Sequence, residues 1–304
     1  MRRVLVTGAS GTIGTALCDA LFARGDDVVG LTRDPGRARS ANPRVTWHKW
    51  EPTLERPDPA AFEGVDGVVN LLGEQVDQRW TEESKQRIME SRRQATHNLV
   101  QAIEALEESR RPKVLVSQSA IGYYGDRGDE ELDEGSDPGT GFISEVPQAW
   151  EQAAHELDPA GVRVVVVRTG LVLDAKSGLL KEMLTPFKLG LGGPLAGGKM
   201  YFSWIHLEDE VGILLWALDD EQVSGAVNAT APEPVTNKEF SKALGRAVKR
   251  PAIAPVPGFV LDLKFGSEFG HVLRGGQRVL PKRTQELGYG FKHPQLDEAL
   301  ADLV

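Results

Sequence analysis

The chain has 304 residues, 40% hydrophobic and 26% charged, with a formal net charge of −9, a composition typical of globular proteins and not of disordered or fibrous ones. The acidic balance argues against nucleic acid and anionic membranes as partners, because both demand a basic face. A single cysteine, Cys18, excludes an internal disulfide and fits a reducing compartment. No apolar run approaches the ~18 residues that would cross a bilayer, and Met1-Arg-Arg leads into a strand without a secretory leader, so a cytoplasmic location is expected.

The first element is the most informative. In Val4-Leu-Val-Thr-Gly8-Ala-Ser-Gly11-Thr-Ile-Gly14 a β-branched strand breaks into a G-x-x-G-x-x-G turn and continues as a helix. Glycine permits the tight turn and the close approach of a ligand, and the free N–H groups of a first helical turn attract a pyrophosphate. Gly8, Ser10, Gly11, Thr12, Ile13 and Gly14 are therefore candidate cofactor contacts. The next strand, Asp27–Thr32, ends where NAD-binding chains carry an acidic residue for the ribose 2′-OH, and here the position reads Thr32-Arg33. A guanidinium pairs with a 2′-phosphate, which favours NADP(H). Asp34 follows, and its carboxylate would admit NAD if it turned back to the ribose.

Further along, strand patterns at 45–49, 67–72, 113–117 and 162–168 alternate with a long helical segment at about 82–108. Continuous β-branched runs are what strands buried on both faces of a parallel sheet require. Right-handed crossovers then give an α/β, Rossmann-like, doubly wound parallel sheet. Its ligand edge, at the carboxyl ends of the strands, gathers Gly8 to Ile13, Thr32 and Arg33, residues 70–73, Ser117 to Ser119, and Arg168 to Gly170; Ser117 and Arg168 join the expected cofactor contacts.

Two segments break the alternation. The acidic loop Asp126–Asp137 reads as a solvated surface loop rather than a divalent-ion site, and the glycine-rich stretch Leu189–Gly198 as a loop over the cleft, a lid. From Ala231 a helix at 237–249, a Pro-rich piece at 251–257 and a terminal helix at 297–303 follow. The expected organisation is a nucleotide-binding domain over 1–230, with 171–204 contributing to a substrate lobe or lid, and a small C-terminal substrate lobe over 231–304. The six histidines lack metal-ligand spacing, so no metal is expected. His206 and Asp209 are expected to stabilise a loop-to-helix junction.

Taken with the glycine turn, Ser119-Ala-Ile-Gly-Tyr-Tyr-Gly125, Arg168-Thr-Gly170 and Trp204-Ile-His-Leu-Glu-Asp209 resemble the extended short-chain dehydrogenase/reductases of the nucleotide-sugar epimerase type. Val69-Asn-Leu-Leu-Gly-Glu74, Arg79-Trp80, Ser91-Arg92, Trp150-Glu151, the segment 186–194 and Gly276-Gln-Arg-Val-Leu-Pro281 resemble more narrowly the atypical epimerase-family proteins that carry a distinctive C-terminal domain. The resemblance covers nearly the whole chain. It implies an NADP-binding Rossmann-like fold with Leu71, Leu72 and Gly73 beside the cofactor and Arg92 reaching it from the long helix. It also implies a homodimer paired through the 82–108 and 142–156 helices.

The acid/base pair typical of that group, Tyr-x-x-x-Lys, is missing. The corresponding stretch reads Phe142-Ile-Ser-Glu-Val146, and no tyrosine of the chain is followed four residues later by lysine. The candidates to replace it are Ser119, Tyr123, Tyr124 and, if burial raised its pKa, Glu145. The expected function is an NADP(H)-dependent oxidoreductase or epimerase acting on a nucleotide-sugar or small carbonyl substrate. The alternative is a non-catalytic NADP(H)-binding redox sensor, with a purely structural dimer behind it.

Overall fold

The structure is a computed structural model describing residues 1–304. The first half follows the β-branched runs: β1 (Arg3–Thr7), α1 (Thr12–Ala23), β2 (Asp27–Thr32), α2 (Pro35–Ala41), β3 (Thr46–Lys49), β4 (Gly67–Asn70), α3 (Glu82–Glu104), β5 (Val114–Ala120), β6 (Glu131–Leu132), α4 (Phe142–His155) and β7 (Arg163–Thr169). The second half has shorter pieces: β8 (Leu171–Leu173), α5 (Gly178–Lys188), β9 (Tyr201–Phe202), β10 (Trp204–His206), α6 (Leu207–Asp219), β11 (Gly225–Ala229), β12 (Val235–Thr236) and α7 (Asn237–Ala247). The chain ends with α8 (Gly258–Phe265), α9 (Ser267–Val272), β13 (Arg278–Val279), α10 (Lys282–Glu286) and α11 (Leu296–Leu303).

Seven strands form one all-parallel sheet in the order β11-β7-β5-β4-β1-β2-β3. The chain reverses direction across the sheet between β1 and β4, and ligands bind in the crevice outside the carboxyl ends at such a switch point. Thr7, Asn70 and Ser117 stand in one row there. Thr7 Oγ1 donates to Asn70 Oδ1 at 2.7 Å, and Asn70 Nδ2 donates to Thr96 Oγ1 at 2.9 Å and Ser117 Oγ at 3.3 Å. These buried groups satisfy one another, so the crevice floor is fixed without water.

Each face of the sheet carries its own core. Val4, Val6, Leu17, Leu21, Val116 and Ile213 pack between sheet, α1 and α6; Leu5, Val68, Leu99, Ile103, Leu115 and Val166 pack toward α3 and α4. Cys18 is fully buried in the first core, and that burial pushes its thiol up to about 12, so it packs and does not react. A third cluster joins Leu173, Leu184 and Phe187 to Phe240, Leu244 and Leu300. No helix is long and apolar enough to cross a membrane.

The acidic loop is largely exposed, as expected of a surface loop, with Asp126, Asp129, Glu130, Glu131 and Asp137 all reaching solvent, but it also has a structural task. It clasps the C-terminal segment. Within it β6 pairs in parallel with β13, Asp126 Oδ1 accepts the Gly276 N–H, and Glu134 accepts the backbone N–H groups of Asn228 and Arg283. The glycine-rich stretch 189–198 is held against another segment and away from the cavities. Backbone hydrogen bonds Ala254 N to Gly192 O, Val256 N to Pro194 O and Ala196 N to Val256 O tie it to the Pro-rich segment, and it lines neither cavity described below.

A candidate dinucleotide and substrate cleft

Gly8 has φ +65°, and a Cβ on it would lie 2.9 Å from the Leu71 carbonyl oxygen; one on Gly14 would collide with the Gly8 carbonyl. Strand, turn and helix therefore meet at a spacing only glycine allows. The α1 N-cap is Gly11, without a capping side chain, and the first turn holds no acidic residue. Its N–H groups are thus left for an outside anion, with Ser10, Gly11 and Thr12 exposed and Ile13 half-buried at the mouth.

At the end of β2, Thr32 is half-buried and Arg33 is exposed, and no internal carboxylate pairs with that guanidinium. Asp34 turns the other way. Its Oδ1 accepts the Arg37 N–H at 3.0 Å and caps α2, so the carboxylate that would favour a free 2′-OH is engaged elsewhere.

The carboxyl ends of β1, β4, β5 and β7 open onto a cavity of about 460 Å³ that includes Ile13, Leu71, Gly73, Arg92, Gln118 and Ser119. A neighbouring cavity of about 690 Å³, lined by Arg127, Thr140 and His271 among others, shares Trp80, Phe142 and Ile143 with it. Leu72 points to the opposite face of the sheet and packs against the α3-side core. Arg92 lies with its guanidinium carbon 5.0 Å from the Trp150 ring and donates to the Ile88 carbonyl at 3.1 Å. Burial brings it down to about 10, with Glu74 opposing that shift, and Glu74 itself is bonded to Arg87. Arg92 is therefore a cation at neutral pH with no bonded carboxylate, facing the cleft.

Several expected site residues are positioned differently. Ser117 turns its hydroxyl to Asn70 and is buried, so the crevice floor holds it away from any cofactor. Arg168 is locked to Glu151 through two bonds, Nε to Oε1 at 2.9 Å and Nη2 to Oε2 at 2.8 Å. It also donates to the Tyr124 hydroxyl at 3.0 Å and lies 3.4 Å over the Tyr123 ring. Those contacts hold the buried guanidinium inside the protein and engage three of its five N–H donors.

The catalytic candidates separate in the same way. Tyr124 is fully buried, donates to Asn228 Oδ1 at 2.7 Å, and burial pushes its phenol up to about 12; it is structural. Tyr123 lines neither cavity. Glu145 is exposed on the outer side of α4 and does not line the cleft. Ser119 does line the cleft, with its hydroxyl donated to Glu151 Oε1 at 2.7 Å. On α4, Phe142, Ile143, Val146, Pro147 and Trp150 all face the cleft, so the wall where an acid/base pair is expected offers no titratable side chain.

Trp80, Trp150, Gln118 and Thr169 also line this cavity; the sequence placed Trp80 and Trp150 in motifs of the family resemblance but assigned none of the four a site role. Gln118 and Thr169 sit at the ends of β5 and β7, so the edge argument already contains them; the tryptophans come from elements that only packing brings near. His206, Glu208 and His293 also converge, although their spacing hides it. His206 and His293 stack at 3.8 Å, His206 Nδ1 accepts the Glu208 N–H, and Glu208 pairs with Lys292. Beside them Asp209 accepts the backbone N–H groups of Lys292 and His293, both at 2.8 Å. This cluster anchors the C-terminal segment to the start of α6, the junction expected for His206 and Asp209.

A parallel sheet wound on both faces, with a glycine turn and an uncapped helix at its switch point, defines a Rossmann-like nucleotide-binding protein. The model of the NAD dependent epimerase/dehydratase family matches residues 4–229, and the chain belongs to that family. A second model, a domain of unknown function (DUF1731), matches residues 256–303. The human epimerase family protein SDR39U1, solved with NADPH, is 37% identical, with a TM-score of 0.89 over 99% of this chain and 98% of its own. Epimerase family protein MT2273 of Mycobacterium tuberculosis is 39% identical over 98% of this chain and 96% of its own length. A nucleoside-diphosphate sugar epimerase from Corynebacterium glutamicum is 30% identical, with a TM-score of 0.79 over 99% of this chain and 58% of that one.

Proposed function

We propose that this chain binds NADP(H) across the sheet edge and uses it to reduce, or reversibly oxidise, a small and largely apolar carbonyl or hydroxyl compound. The observation that carries the cofactor choice is the exposed, unpaired Arg33 at the end of β2 beside an Asp34 already engaged in capping α2. The human relative solved with NADPH supports it. The uncapped start of α1 would receive the pyrophosphate, Arg33 the 2′-phosphate, and Arg92 a further anionic oxygen in the cleft. When bound, the nicotinamide supplies the hydride.

The chain's own groups define the substrate side. Trp80, Ile88, Phe142, Ile143, Val146 and Trp150 form an apolar wall, which shields the reacting centre from water and offers a substrate oxygen one donor, the unpartnered indole N–H of Trp150. An apolar carbonyl fits this wall better than the sugar of a nucleotide-sugar. Calorimetry with NADPH and NADH, followed by absorbance assays over parallel panels of apolar carbonyls and nucleotide-sugars, tests both parts. NADH bound as tightly as NADPH, or turnover confined to the nucleotide-sugars, refutes the reading.

The absence of a titratable side chain on the cleft face of α4 favours a second reading, a redox sensor that binds the cofactor without turnover. A ligand shifts populations only through differential affinity, so this reading requires NADP⁺ and NADPH to bind with different affinities and to leave distinct conformations.

A further inference from the structure

Beneath the cleft lies a carboxyl group that the binding scheme above does not use. Glu210, on α6, is completely buried. Its Oε1 accepts the Thr169 hydroxyl at 2.8 Å, while its Oε2 has no hydrogen-bond partner. No basic side chain pairs with it. The titratable groups beside it are Asp209, held by backbone N–H groups, and Tyr289, whose hydroxyl bonds to Asp209. An ionised carboxylate in this place would lose its hydration with one hydroxyl as compensation, and burial pushes Glu210 up to about 8.

Thr169 connects this group to the cleft. It lines the cavity beside Gly170 and Gln118, and its Oγ1 accepts from Gln118 Nε2 at 3.3 Å. The other hydroxyls near the cleft are engaged elsewhere: Ser119 donates to Glu151 and Tyr124 to Asn228. Ser119 also faces the cleft and touches a buried carboxyl, but Glu151 is already paired with Arg168; Thr169 is the cleft hydroxyl whose buried carboxyl partner has no cation beside it.

We propose that Thr169 and Glu210 form a two-residue relay that delivers a proton to an oxygen in the cleft, taking the place of the missing Tyr-x-x-x-Lys pair. Resting on the NADP(H)-dependent carbonyl chemistry proposed above, the relay itself moves one proton and no electrons. The step requires the Thr169 hydroxyl to turn from Glu210 Oε1 to the substrate oxygen while the protonated Glu210 carboxyl donates to Thr169 Oγ1 in its place. The Thr169 O–H bond then breaks as its proton bonds to the substrate oxygen, and the Glu210 carboxyl proton moves to Thr169 Oγ1, leaving Glu210 a carboxylate. The electron pair that reduces the carbonyl comes from the reduced nicotinamide. After product leaves, water in the cleft returns a proton to Glu210 through Thr169. Thr169 is the catalytic residue in this scheme, and Glu210 positions and resupplies its proton.

The test is infrared spectroscopy of the full chain without cofactor, following the carbonyl stretch of a protonated carboxyl at neutral pH after transfer from H₂O to D₂O. The wild type should show the band and Glu210→Gln should lack it. Thr169→Val should slow deuteration of the carboxyl about tenfold or more, the size of effect expected from blocking a preferred transfer step. Thr169→Ser should restore the rate, which a merely structural role for Thr169 would not require. A band that survives in Glu210→Gln, or equal deuteration rates in Thr169→Val and wild type, overturns the relay. Failure of NADPH to bind the wild type, read separately by calorimetry, would overturn the function above without altering the exchange result.

Discussion

Gly73 and Arg92 fit against each other so closely that a Cβ on Gly73 would stand 2.8 Å from the guanidinium. Substituting Gly73→Ala therefore displaces Arg92 from the cleft. We expect it to weaken NADPH binding about tenfold, since a hydrogen bond to a charged group contributes roughly 1.5–3 kcal/mol. Arg92→Met should weaken binding as much while leaving the cofactor-free protein at least as stable, because the half-buried cation has no bonded carboxylate to lose. Calorimetry and thermal unfolding on the two variants check this; a large drop in Tm for Arg92→Met would assign the residue to the fold instead.

Cofactor preference should rest on one exposed side chain. Arg33→Ala is expected to raise the Kd for NADPH about tenfold and leave that for NADH unchanged, because the lost pair involves only the 2′-phosphate. The NADPH preference of the wild type should also shrink between low and high salt, as exposed charge pairs are screened. Equal losses for both cofactors would contradict the assignment.

The Arg168–Glu151 pair should matter to folding more than to binding. Removing one partner of a buried pair leaves a desolvated charge and costs about 3–5 kcal/mol, so Arg168→Met should lower the denaturation midpoint sharply. The double variant Arg168→Met, Glu151→Leu should recover part of that loss. A double variant no better than the single would show that the tie to Ser119 and Tyr124 outweighs the ion pair.

Glu210 gives stability a pH dependence of known sign. Its folded pKa lies near 8 against an ordinary value of 4.5, so the folded state holds a proton that the unfolded state gives up. Its contribution is fully present below about pH 4.5 and fades as pH rises toward about 8, by an amount on the order of a few kcal/mol. Glu210→Gln should flatten the fall of stability between pH 5 and 8. Chemical denaturation at three or four pH values decides it, and parallel curves for the two proteins would show that Glu210 is already ionised when folded.

Much of the fold was readable because its signals are local. The run Val4 to Thr7, the glycines at 8, 11 and 14, and the valines of β7 each state their conformation within a few residues. The place of Arg33 at the end of β2 was readable for the same reason, since it stands a fixed distance from the turn. Residues whose partners lie far off were not. Arg168 sits at the ligand edge in sequence, yet its side chain goes to Glu151 and Tyr124. Sequence alone does not show that two carboxylates of the exposed 126–137 loop, Asp126 and Glu134, accept backbone N–H groups from Gly276 and Arg283. The stretch 189–198 was flexible by composition, and only its bonds to 254–256 remove it from the cleft. Glu210 gave no local signal, because its burial is decided by α6 lying across β7.

The pairing of β6 with β13 joins residues about 150 positions apart along the chain. During synthesis the segment around Tyr124 and Leu132 must therefore wait for nearly the last residues to leave the ribosome before its hydrogen bonds close. A chain stopped short of residue 276 would keep Glu134 and Asn228 without their final partners and Leu132 open to water. Such a truncated product should be recognised by chaperones and cut readily by proteases within 126–137, even though its nucleotide half has every strand of the main sheet.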